Sequence, residues 1–337
     1  MRALFSLARP TGVSSRYLQR AYSSQVPSLV KIHDIPAPSS GRIRILSLSR
    51  PEARNAISRQ LLQELRNAVH DIDSEYERVN PAAKTGLGAS VEVPQQQRFG
   101  GAAGVDAKAP TRAVILASEV DSCFCAGADL KERKGMSESE TQDFLSNLRQ
   151  TFAKLADLPI PTISAISSLA LGGGLELGLC THFRVLASTA QVALPETRLG
   201  IIPGAGGTYR LPALIGVSRA RDLILTGRRV SAAEAYFLGI ADRLVEVVPE
   251  DGEAQEQLMK RAGDEVLREA IKLAGEICAG APTAVRSALF AVSGKMTSPG
   301  NPAAAENAMY DGVVKTEDRN EALKAFAEKR KPIFTGR

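Results

Sequence analysis

Two glutamates in this chain lie in surroundings that do not suit a surface carboxylate. Glu176 is flanked by Leu175, Leu177 and Leu179, and Glu196 closes the apolar run Val192-Ala193-Leu194-Pro195. A carboxylate among leucines costs free energy unless it is paired or has a task. Two such groups sharing one water could divide the work of general acid–base catalysis, one taking a proton and the other giving one. Glycine is plentiful beside both. Leu169-Ala170-Leu171 runs into Gly172-Gly173-Gly174, and Glu196 precedes Ile202-Pro203-Gly204-Ala205-Gly206-Gly207. Glycines let a ligand approach the main chain closely, and free N–H groups at a helix start carry partial positive charge. A strand, a glycine turn and a helix start in series thus offer an oxyanion hole, where one donor is worth about 3 kcal/mol. Local chemistry alone leaves plainer readings open, namely a glycine turn needed only for packing and two unrelated capping or salt-bridged glutamates.

Other chemistries find little support. His33, His70 and His182 lie in no metal or triad pattern, and Cys123, Cys125, Cys180 and Cys278 lack zinc spacing and read as reduced, buried thiols. No GxGxxG or GxxxxGK[ST] run occurs, so no nucleotide or dinucleotide site is expected. The expectation is catalysis by carboxylates and backbone, with no metal and no cofactor. No stretch approaches the roughly 20 consecutive apolar residues of a spanning helix, so no membrane span is expected.

The first 33 residues hold Arg2, Arg9, Arg16 and Arg20 but no acid, the composition of a transit peptide. Arg20-Ala21-Tyr22-Ser23 is similar to a mitochondrial presequence cleavage site, so residues 1–22 are expected to be a mitochondrial transit peptide and the mature protein to reside in the matrix. Cleavage takes four arginines and no acid from a formal charge of +5, leaving +1. The basic balance of the full chain therefore gives no argument for nucleic acid.

The elements that must position the glutamates can be sketched. Ile43 and Ile45 alternate with arginines ahead of Leu46 and Leu48 as in a strand, which Pro51 ends. Leu61, Leu62, Leu65, Val69 and Ile72 form one helical stripe behind Ser58 as cap. Residues 80–110, rich in Ala, Gly, Gln and Pro, read as a surface insertion before the buried strand Ala113 to Leu116. Ser137-x-x-Glu140 opens a helix carrying Phe144, Leu148, Phe152 and Leu155 on one face. Thr162 to Leu169 reads as one strand running into the glycine turn. Beyond Pro249 the chain turns helical, with Val266, Ala270, Leu273 and Ile277 in a stripe.

Four motifs in series carry a resemblance. Cys123-Phe124-Cys125-Ala126-Gly127-Ala128-Asp129-Leu130-Lys131-Glu132, Gly172-Gly173-Gly174-x-Glu176, Pro195-Glu196 and Pro203-Gly204-Ala205-Gly206-Gly207-Thr208-x-Arg210-Leu211 resemble the crotonase (enoyl-CoA hydratase/isomerase) signature in order and spacing. The likeness covers residues 40–337, interrupted by the 80–110 insertion. It implies an α/β fold, a spiral of ββα units over 40–250, followed by a helical C-terminal segment at 251–337 that builds a homotrimer or homohexamer.

The resemblance also implies roles. The N–H groups of Ala128 and Gly173 would hold a thioester oxygen, Glu176 would activate water for attack at C3, and Glu196 would protonate C2. Ala53, Arg54, Ala126, Asp129 and Leu130 match contacts to CoA, and Phe326 and Lys329 match a contribution from a neighbouring subunit. CoA enters as part of the substrate. Retention of both glutamates favours a hydratase over the isomerases, hydrolases and dehalogenases of the family, although two carboxylates can also shuttle a proton between C2 and C4. Ala128 to Arg133, with Met136-Ser137-x-Ser139-Glu140 behind it, resembles the branch that hydrates 3-methylglutaconyl-CoA in leucine breakdown. Lys131 and Arg133 are then candidates for the substrate's second carboxylate. A general short-chain enoyl-CoA hydratase of fatty-acid oxidation and an enoyl-CoA isomerase are the alternatives. One relative binds AU-rich RNA through a lysine-rich helix, but the matching helix here mixes Arg54, Arg59 and Arg66 with Glu64, Asp71, Asp73, Glu75 and Glu77 and offers phosphates no basic stripe.

Overall fold

The structure, a computed structural model, describes residues 27–77, 110–293 and 302–337. The expected presequence at 1–22 and, Pro110 apart, the expected insertion at 80–110 lie outside the described residues. In chain order the elements are β1 (Val30–Pro36), β2 (Arg42–Leu48), α1 (Arg59–Glu77), β3 (Thr111–Ser118), β4 (Cys123–Cys125), α2 (Leu130–Lys134), α3 (Glu138–Ala156), β5 (Thr162–Ile166), β6 (Leu169–Leu171), α4 (Gly173–Leu179), β7 (Phe183–Ala187), β8 (Gln191–Ala193), α5 (Gly207–Ile215), α6 (Val217–Thr226), β9 (Val230–Ser231), α7 (Ala232–Leu238), β10 (Arg243–Val245), α8 (Gln255–Cys278), α9 (Pro282–Val292), α10 (Pro302–Val314) and α11 (Glu317–Ala327).

The strands sort into two sheets, one of order β1-β2-β3-β5-β7-β10 and one of order β4-β6-β8-β9. β1 is antiparallel to β2, and the pairs from β2 to β10 are parallel. Three successive passes, β3-β4, β5-β6 and β7-β8, each give one strand to each sheet and then a helix. This is the spiral of ββα units implied by the resemblance. The expected single strand from Thr162 to Leu169 is two. β5 ends at Ile166 in the larger sheet, Ser167 and Ser168 turn the corner, and β6 begins at Leu169 in the smaller one. Apolar patterning could not reveal the corner, because β5 is buried on both faces and shows no alternation.

Alternation along the central strands divides the core. Ile43, Ile45, Ile115, Ile163 and Val185 face one way and pack on Leu258, Ala262, Val266 and Ala270 of α8. Leu46, Leu48, Val114, Leu116 and Leu186 face the other way and meet Leu61, Leu65 and Ile72 of α1 with Phe144, Phe152 and Leu155 of α3. The segment expected at 251–337 for oligomerisation therefore opens with a helix that covers this chain's own sheet. Both helix starts anticipated on α1 and α3 form. Ser58 Oγ accepts the Leu61 N–H at 3.2 Å, and Ser137 closes a capping box with Glu140.

One contact sets the distance between the two segments that carry the site. A Cβ on Gly174 would lie 2.1 Å from the Cys125 carbonyl oxygen, so β4 and α4 touch backbone to backbone. A Gly174→Ala substitution must push them apart and is expected to cost about 1–3 kcal/mol or more. A lower urea midpoint than wild type checks this. Gly275→Ala on α8, where a Cβ meets nothing within 4 Å, should instead be neutral or stabilising.

Candidate active site

The glycine junction after β6 is built for close approach. Gly172 has φ +53, a backbone conformation that strains any side chain, and a Cβ there would stand 3.0 Å from Glu196 Oε1 and crowd that carboxylate. Its N–H donates to the Ala193 carbonyl at 2.9 Å, prolonging the β6–β8 pairing, and its own carbonyl accepts the Glu176 N–H at 2.9 Å. Gly173 starts α4 and, as a first-turn residue, has no intrahelical acceptor for its N–H.

The loop after β4 supplies a second donor. Ile57 donates its N–H to the Gly127 carbonyl at 2.7 Å, and its carbonyl accepts the Asp129 N–H at 3.1 Å. That pairing uses the residues on either side of Ala128, whose own N–H faces the opposite way. Among the described residues neither the Ala128 nor the Gly173 N–H has an acceptor. A Cβ on Gly173 would be 3.6 Å from Ala128 N, so these two unpaired donors stand side by side.

The glutamates are held in unlike ways. Glu176, 2% exposed, sits in the first turn of α4, and its Oε1 accepts from the Ala205 and Gly207 N–H groups at 2.8 Å each. Burial raises its carboxyl above the ordinary glutamate value, while the N–H groups of Gly207 and Ala205 and the charges of Arg210 and Arg149 pull it back. Glu196 opens a 3-10 turn, Glu196–Leu199, and its Oε2 is buried with no hydrogen-bond partner among the described residues. Burial pushes its carboxyl up to about 7, and the charge of Glu176 adds to the effect. The turn is pinned to the end of α6, with Thr197 Oγ1 donating to the Ile224 carbonyl at 3.1 Å and Arg198 Nε to the Thr226 carbonyl at 2.7 Å. Neither carboxylate is a helix cap. In one, two donors partly offset the burial, and the other, without such donors, holds its proton up to about 7.

The remaining expected residues divide. Ala53 ends a short 3-10 turn and Arg54, at φ +50, offers its carbonyl to the Ala126 N–H at 3.1 Å, so this strap lies against the loop that bears Ala128. Asp129, expected as a CoA contact, has its carboxylate otherwise engaged. Oδ1 caps α2 through the Lys131 and Glu132 N–H groups, and Oδ2 pairs with Arg50 at 2.8 Å. Its side chain holds the loop. Leu130 is exposed on α2, and Lys131 and Arg133 on the same helix form no ion pair among the described residues. Phe326, 85% exposed, lies in the last turn of α11 with Lys329 just beyond the helix, and no hydrogen bond among the described residues ties either to the glutamates.

Sequence reasoning passed over several residues that build the site. Asn55 is fully buried at φ +56, and it donates to Ser118 Oγ at 2.8 Å and the Phe124 carbonyl at 3.0 Å while accepting the Arg50 N–H at 2.8 Å. It thereby fixes the strap and β4 together. The donors Ala205 and Gly207 lie within a glycine-rich run to which sequence alone assigns no role. The one signal for them was its position just after Glu196.

The model of the enoyl-CoA hydratase/isomerase family matches residues 104–337. The chain belongs to this family. It is 58% identical over 341 residues to methylglutaconyl-CoA hydratase 1, mitochondrial, of Pyricularia oryzae, covering 98% of this chain and 94% of that protein. An enoyl-CoA isomerase/hydratase of Zymoseptoria tritici is 53% identical over 317 residues, covering 94% of this chain and 90% of that protein. The crystal structure of an enoyl-CoA hydratase from Bacillus anthracis superposes with a TM-score of 0.72 at 37% identity, over 92% of this chain and 100% of that one. The chain is accordingly an enzyme of the enoyl-CoA hydratase type, with the crotonase fold.

The unlike surroundings of the two glutamates are open to direct measurement. Carbon-13 NMR of the glutamate side chains is expected to show Glu196 titrating near 7. Glu176→Gln removes the neighbouring negative charge and should lower that midpoint. A Glu196 midpoint in the ordinary range near 4.3 would contradict the assignment.

Proposed function

We propose that this enzyme adds water across the double bond of 3-methylglutaconyl-CoA, a step of leucine degradation, in the mitochondrial matrix. The observation that carries the chemistry is the pairing of a carboxylate stabilised by two N–H donors with a second carboxyl that keeps its proton near neutral pH. The acyl preference is supported by the 58% identity to a methylglutaconyl-CoA hydratase named as mitochondrial, and the address also by the basic, acid-free first 22 residues.

In the mechanism, the Ala128 and Gly173 N–H groups hold the thioester oxygen and stabilise the negative charge it gains. Glu176 takes a proton from water as the water oxygen bonds to C3. The displaced double-bond electrons pass to the thioester oxygen as an enolate, and their return to C2 takes the proton of Glu196. The net change is one water added, and exchange of the two protons with solvent restores both carboxyl groups. The strap of Ala53 and Arg54 with Ala126 and Leu130 contacts the CoA portion. Lys131 and Arg133 are candidates for the distal carboxylate, and Asp129 acts by holding the loop. The catalytic unit is a homotrimer or its doubled hexamer, a reading supported by Val292, Tyr310 and Phe326, apolar side chains left 88%, 67% and 85% exposed on the C-terminal helices.

Glu176→Gln and Glu196→Gln are each expected to lower kcat by about 10²- to 10⁴-fold, and rates within tenfold of wild type would remove both from the mechanism. The profile of kcat/KM against pH should fall above about 7, where Glu196 gives up its proton, and fall again on the acid side as Glu176 gains one. Side-by-side assays of 3-methylglutaconyl-CoA and crotonyl-CoA test the substrate, and faster turnover of crotonyl-CoA would point to a general short-chain hydratase. Oxygen-18 from water must appear in the C3 hydroxyl. Its absence, with the double bond moved, would mean an isomerase.

A further inference from the structure

The loop that holds Glu176 is itself held from a separate element. Arg149 lies on α3, and its Nε donates to the Gly204 carbonyl at 2.7 Å. Leu145, one helical turn earlier on the same face, puts its Cδ2 3.8 Å from where a Cβ on Gly204 would be. The Gly204 carbonyl and the Ala205 N–H belong to one peptide group, and that N–H donates to Glu176 Oε1 at 2.8 Å. In a trans peptide the C=O and N–H point in opposite directions. The guanidinium therefore pulls on one end of the group while the carboxylate accepts at the other, and hydrogen bonds in such a chain strengthen one another. The next carbonyl, that of Ala205, is gripped by Arg210 at 2.9 Å, but Arg210 belongs to α5, which the loop itself opens. Among the described residues, Arg149 makes the hydrogen bond that ties the loop to α3.

We propose that Arg149 is a positioning residue for Glu176, acting through the Gly204–Ala205 peptide to aim its N–H and to favour the carboxylate form. Among the described residues, the charged and titratable groups acting on Glu176 are Arg149 from α3, Arg210 from α5, Glu196 from its 3-10 turn and Cys180 just past the end of α4. Arg149 and Arg210 favour the anion and Glu196 opposes it. The kinetic consequence rests on the hydratase reading above, whereas the effect on Glu176 itself does not.

The test compares Arg149→Met and Arg149→Lys with wild type, by NMR titration of Glu176 and by the pH dependence of enoyl-CoA hydration. Arg149→Met is expected to raise the Glu176 midpoint, to carry the acid limb of kcat/KM to higher pH, and to lower kcat about tenfold near neutrality with KM within about twofold. Arg149→Lys should recover part of each. An unmoved Glu176 midpoint overturns the proposal, as does a rise in KM with kcat unchanged, which would make Arg149 a ligand contact. A shifted midpoint in a protein that hydrates no enoyl-CoA would sustain the positioning role and sink the hydratase reading.

Discussion

Glu176 is buried with one oxygen accepting from two main-chain N–H groups, and the rest of the site is arranged to permit that contact. A carboxylate taken out of water must find donors or a proton. The donors come from a loop some thirty residues further on, so α4 and the start of α5 have to lie side by side. A Cβ on Gly207 would crowd Glu176 Oε1 at 3.2 Å and Leu194 Cδ1 at 3.0 Å. The glycines of the loop thus serve the glutamate before they serve any ligand.

The same economy of space governs the paired N–H donors. Gly174 lets α4 touch β4, Gly127 turns the loop at φ +92 beneath Leu171, and Gly172 leaves room for Glu196. Each is a close approach between segments of different ββα units. The spiral makes such approaches possible, because consecutive units place their second strands side by side in the smaller sheet and their loops at the same end. Asn55 and the Arg50–Asp129 pair then lock the strap and the loop to β4.

Chemical asymmetry between two identical side chains follows from what surrounds them. Burial acts on both glutamates in the same direction. Glu176 recovers part of the lost solvation from two N–H dipoles and two arginines, whereas Glu196 Oε2 has no partner among the described residues and faces the charge of its neighbour. Two carboxylates of one kind thereby hold their protons unequally, the asymmetry that the proposed hydration mechanism uses.

Much of this molecule could be read from the chain. The stripe from Leu61 to Ile72, the capping box at Ser137 and the alternation in β2 are local periodicities, and local periodicity survives in sequence because each residue answers to a neighbour three, four or two places away. The apolar settings of Glu176 and Glu196 marked them for the same reason, and four ordered motifs named the family. The corner at Ser167 and Ser168 stayed hidden because β5 is buried on both faces and shows no alternation to break. The cap formed by Asp129, the burial of Asn55 and the union of Glu176 with Ala205 and Gly207 are contacts across folded distance, for which sequence keeps no period. The sequence by itself determined which residue types the site would use and which faces would be buried. Only the tertiary structure decided which carboxylate keeps its proton, because that depends on donors and charges brought in from other elements.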